Sequence, residues 1–106
     1  MRILFDQGTP APLRQFLQDH EVATAFERGW STLENGDLLS AAEGEGFHIL
    51  VTTDTNLKYQ QNLASRTIAI VVLSTTSWPR IKASAELVVA AVSASASRTF
   101  SEVQIP

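Results

Sequence analysis

The chain contains no cysteine, which excludes disulfides and thiolate metal sites. It has no apolar run long enough to span a membrane and no signal-peptide pattern, so a globular cytoplasmic protein with no membrane partner is expected. Positive charge is scarce: 8 Lys and Arg stand against 11 Asp and Glu, a formal net charge of −3. A dedicated nucleic-acid binder rests on many Lys and Arg contacts to phosphate, so any nucleic-acid contact here is expected to be small or locally focused. Several catalytic signatures are missing too. There is no Walker loop, no G-x-G-x-x-G after a strand and no nucleophile elbow, which argues against P-loop, dinucleotide and Ser-His-Asp chemistry.

Apolar residues, by contrast, are plentiful. With 44% hydrophobic and 18% charged residues, 106 residues can bury enough surface to offset the ordering entropy, and one domain over 1–106 is expected. "ILF" at 3–5, "FHILVTT" at 47–53 and "TIAIVVL" at 67–73 are unbroken strand-like runs, the pattern of a parallel sheet covered on both faces. "EVATAF" at 21–26 reads as a further strand, and "SEVQI" near the C-terminus as an edge strand. Between them lie helices: 10–18, capped by Thr9 and carrying Leu13, Phe16 and Leu17; a second capped by Asn35 or Ser31 and ended by "GEG"; a short helix or turn over 55–63; and a last one opened by Trp78-Pro79, with Ile81, Ala85, Val88 and Val92 on one face. Alternating strands and helices predict right-handed βαβ units and a three-layer α/β/α domain with a mostly parallel central sheet.

Three acids stand at one edge of that predicted sheet. Asp6 and Asp54 each follow an apolar strand, at the carboxyl ends where open parallel sheets bind ligands. Asp37 lies in the first turn of the middle helix, which starts at the same edge. Each has an ordinary role available: Asp54 as a cap of the next turn, Asp6 as a turn former in "DQGTP", Asp37 as a complement to the helix dipole. Together they predict a shared site, because neighbouring carboxylates repel unless a proton or a cation offsets them, and a hard divalent cation suits them. Thr52 and Asn56 are candidate supporting donors, Lys58 and Arg66 candidate phosphate contacts, and Trp30 and Tyr59 candidate stacking surfaces or, alternatively, core or dimer contacts. His20 and His48 fall at the opposite, amino edge.

"ILFDQGTP", "GWSTLENGDLL" and "ILVTTDTNLKYQQNL" followed by "IAIVVL" resemble the PIN-like superfamily, in particular its short bacterial members proposed as toxins of toxin–antitoxin pairs; the likeness runs over about residues 1–82. It implies a metal-dependent ribonuclease fold in which Asp6, Asp37 and Asp54 bind Mg²⁺ or Mn²⁺. It further implies single-stranded RNA as substrate and a small antitoxin protein as partner, and leaves a homodimer open. Many such proteins carry a second acid directly after the first Asp, where this chain has Gln7. Two other readings compete: a catalytically silent PIN-like binding or dimerisation module, and a phosphoacceptor receiver with Ser74 or Thr75 as its hydroxyl, which would lack the paired acids after the first strand and a Lys at the end of the fifth.

Overall fold

The structure, a computed structural model, describes residues 1–57, 65–96 and 99–106. Among these residues five strands form one sheet: β1 (Arg2–Phe5), β2 (Glu21–Thr24), β3 (Ile49–Thr52), β4 (Ala69–Leu73) and β5 (Phe100–Val103), in the order β2-β1-β3-β4-β5. Every pairing among the described residues is parallel, in keeping with the mostly parallel sheet expected. The unbroken apolar runs take the interior. β3 and β4 are buried at every position and β1 from Ile3 onward, while the edge strand β2 is only partly covered.

Alternation along the strands sends side chains to two faces. Ile3, Phe5, Ile49, Val51, Val71 and Leu73 pack with Leu13 and Leu17 around a 3₁₀ helix (Ala11–Phe16) and with Ile81, Val88 and Val92 of two helices, α2 (Trp78–Ala83) and α3 (Ala85–Ala94). Leu4, Leu50, Ile70 and Val72 meet Leu38, Leu39 and Ala42 of the first α-helix (α1, Asn35–Gly44), called αM below for its middle place in the chain, on the other face. The domain is therefore α/β with helices on both sides of the sheet.

Local chemistry explains the departures from expectation. The segment read as an α-helix over 10–18 is 3₁₀, closed by Leu13 N–H to Pro10 O at 3.1 Å; Pro10 and Pro12 have no N–H to give, and a short tight helix needs few. Thr9 does not cap it, because its hydroxyl is turned toward Asp6. The strand read over 21–26 ends at Thr24, where Thr24 and Glu27 exchange side-chain bonds to each other's backbone N–H at 2.9 and 3.1 Å and turn the chain. The cap position of αM is Glu34, without a side-chain cap bond. Its end is as expected: Gly46, at φ 78°, sits past the cap, with Gly46 N–H to Glu43 O and Phe47 N–H to Ala42 O closing the last turn. The single last helix is two, divided where Ser84 leaves helical backbone, yet Ile81, Ala85, Val88 and Val92 all remain buried. Most of the predicted helix or turn over 55–63 lies outside the described residues. No helix among the described residues is long and apolar enough to cross a membrane.

From β1 the chain moves outward to β2 and then returns to place β3 on β1's other side. The sheet order therefore reverses between β1 and β3, and doubly wound sheets bind ligands at the carboxyl ends beside such a reversal.

Candidate functional site

Asp6 leaves β1 at this point. Its N–H still joins the sheet, donating to Val51 O of β3 at 3.1 Å, so its side chain stands at the last rung of the ladder. Among the described residues the buried polar side chains are Thr9 and Thr52, and the hydroxyls of both reach Asp6. Thr9 Oγ1 lies 2.7 Å from Asp6 Oδ1 and 2.9 Å from Val51 O, sharing one proton between two acceptors. Thr52 donates to Asp6 Oδ2 and accepts the N–H of Asp54 at 3.1 Å. One buried hydroxyl thus connects the carboxylate after β1 to the backbone after β3.

Asp54 is half-buried and held from two sides. Asn35 Nδ2, at the start of αM, donates to Oδ2 at 2.6 Å, and Asn56 N–H donates to Oδ1 at 3.0 Å. The capping role weighed for Asp54 is present, and it coexists with a position at the edge. The Asn35 bond also fixes where αM begins, which sets Asp37, two residues on, near the same edge with its side chain exposed. No group of three His, Cys, Asp or Glu side chains suited to a metal ion is gathered among the described residues. Asp6 and Asp54 are joined through Thr52, and Asp37 is tied to them only through the start of αM.

Gly8 approaches the turn after β3 closely: a Cβ there would come within 2.5 Å of Thr53 Oγ1, so a side chain at this position requires the Thr53 hydroxyl to turn aside. The turn after β1 therefore lies directly against the turn after β3. A cleft of about 460 Å³ adjoins Asp6, which lines it with Gln7, Thr9, Arg14, Thr24, Phe26 and Glu27 among others.

The arginines are mostly committed elsewhere. Arg2 and Arg28 pair with Glu21 and Glu45 at 3.4 Å each, and Arg80 donates to Ile105 O and Pro106 O. Arg66, weighed as a phosphate contact, lies across αM, bonded to Glu43 Oε1 at 3.0 Å, Ser40 Oγ and Gly36 O. Burial pushes the Glu43 carboxyl up, but the bonds it accepts from Thr67 N–H, Arg66, the Thr67 hydroxyl and Ile68 N–H outweigh burial and hold it below the usual range. Arg14 binds the Glu27 carboxylate and, with the Thr24 N–H, keeps that group low as well.

Trp30 is half-buried against the core, packed edge-on to Phe47 at 6.0 Å with the Arg28 guanidinium 5.0 Å from its ring. Lys58 and Tyr59 lie outside the described residues. His20 and His48 are at the amino edge, His48 Nδ1 accepting Arg2 N–H at 3.0 Å. The hydroxyls after β4 serve structure, Ser74 accepting Ile105 N–H and Thr75 accepting Ser77 N–H. Sequence reading took Thr9 and Asn35 for helix caps and missed their part at the edge. It also missed Thr24 and Glu27, although T-x-x-E is a readable capping-box signature. Compared with family models, curated proteins and solved structures, the chain finds no match.

Proposed function

We propose that the protein is a Mg²⁺- or Mn²⁺-dependent ribonuclease whose site is the edge formed by Asp6 and Asp54. The observation that carries this reading is the pair of aspartates at the ends of adjacent interior strands, beside the reversal of sheet order, joined through the buried Thr52 hydroxyl. The donor set is all oxygen, the class that hard divalent cations take. Each oxygen of Asp6 and Asp54 accepts a hydrogen bond from the chain and retains a second lone-pair direction for a cation. When bound, such an ion supplies Lewis acidity toward a phosphodiester and lowers the pKa of a coordinated water. The chain's own residues orient the two carboxylates: Thr9 and Thr52 for Asp6, Asn35 and the Asn56 N–H for Asp54. The resemblance noted above extends the proposal to the toxin of a pair, restrained by a small antitoxin protein.

A silent binding module is favoured by one observation: the same hydrogen bonds satisfy both carboxylates without any ion. Cleavage separates the two. Purified parent protein with Mg²⁺ or Mn²⁺ cuts single-stranded RNA. Asp54→Asn loses more than the roughly 10- to 100-fold that removal of an outer partner costs a metal site. Activity that survives in Asp54→Asn belongs to another centre, and a parent inert with both ions is the silent module.

A further inference from the structure

Phe26 is 78% exposed, an unusual place for a large apolar ring, and it lies on the cleft beside Asp6. It is not on a loose loop. The Thr24–Glu27 capping box, Ala25 N–H to Phe5 O at 2.8 Å and Trp30 N–H to Ala25 O at 2.8 Å fix the turn on both sides of it. Arg14 braces Glu27 from the 3₁₀ helix. With Arg2, Arg14, Arg28 and Arg66 paired to acids, charge supplies little affinity for RNA, and base stacking is the remaining source.

We propose that Phe26 is a stacking platform for one base of single-stranded RNA, seated in the cleft so that the neighbouring phosphate reaches Asp6 and Asp54. The cleft volume is within the range of small-ligand sites, about 300–1,000 Å³. Gln7 lines the same cleft next to Asp6 and offers the base an amide with both donor and acceptor. This inference rests on the ribonuclease reading for its substrate, and its test is read by binding rather than by cleavage.

The probe is a short fluorescein-labelled single-stranded RNA, followed by anisotropy in Ca²⁺ with parent, Phe26→Ala and Phe26→Trp, beside an abasic version of the same strand. Alanine weakens binding roughly 5- to 100-fold, in line with the loss of one base–aromatic stack, whereas tryptophan preserves it and the abasic strand binds like the alanine variant. The thermal midpoint and its response to Mn²⁺ stay unchanged in Phe26→Ala, because the ring is exposed and holds no part of the ion site. Equal binding by parent and Phe26→Ala, equal binding of the abasic strand, or no binding by the parent overturns the platform. Ring-dependent binding in a protein that never cleaves RNA upholds the platform and overturns the nuclease.

Discussion

A buried hydroxyl costs free energy unless it is paired, and Thr52 is paired twice, to Asp6 as donor and to Asp54 N–H as acceptor. Thr52→Val keeps the shape and removes both bonds, so no cavity complicates the outcome. It should lower stability by about 1–3 kcal/mol, the cost of leaving partly buried groups unpaired, measured by urea unfolding. If Asp6 and Asp54 form the site, it also cuts RNA cleavage roughly 10- to 100-fold, as loss of an orienting partner does. The acids themselves were legible in the sequence because each follows an apolar run. The hydroxyl between them was not, because its role depends on register: Phe5 pairs with Val51, which brings Thr52 beside Asp6 across 46 positions of chain.

The strands were legible for the same reason that they are interior, since β1, β3 and β4 are apolar without alternation. What the sequence hid was how elements are tied. The carboxylate of Glu43, on αM, gathers Thr67 N–H at 2.6 Å, the Thr67 hydroxyl and Ile68 N–H, and so pins the approach to β4, while Arg66 locks back onto the helix. Its charge reads like an ordinary solvated helix face, because none of these partners is near it in sequence. Bonds to the ionised form hold the folded-state pKa below the ordinary 4.5, so the contribution is present above that value and is lost as pH falls through the folded pKa. Glu43→Gln should therefore cost roughly 1–3 kcal/mol near pH 7 and progressively less as pH falls below about 4.5, read from unfolding midpoints across pH. A constant difference across that range would show that the carboxylate charge is not what holds αM to β4.

At the level of the molecule, an acidic chain with an all-parallel sheet places two of its eleven acids at the carboxyl ends of neighbouring strands, where the winding reverses. The proposed ribonuclease site requires that this edge, through Asp6 and Asp54, hold a divalent cation. A ligand that binds only the folded state stabilises it by RT ln(1 + [L]/Kd), about 2.7 kcal/mol at 100 times Kd, which for a chain of this size moves the melting temperature on the order of 10–20 °C. The most direct measurement is the melting temperature against Mn²⁺ and Mg²⁺ concentration for the parent, Asp6→Asn and Asp54→Asn, each compared with its own metal-free baseline. A saturable rise is expected in the parent and its loss in both variants; no rise in the parent, or the same rise in all three, would rule out a cation held by these two aspartates.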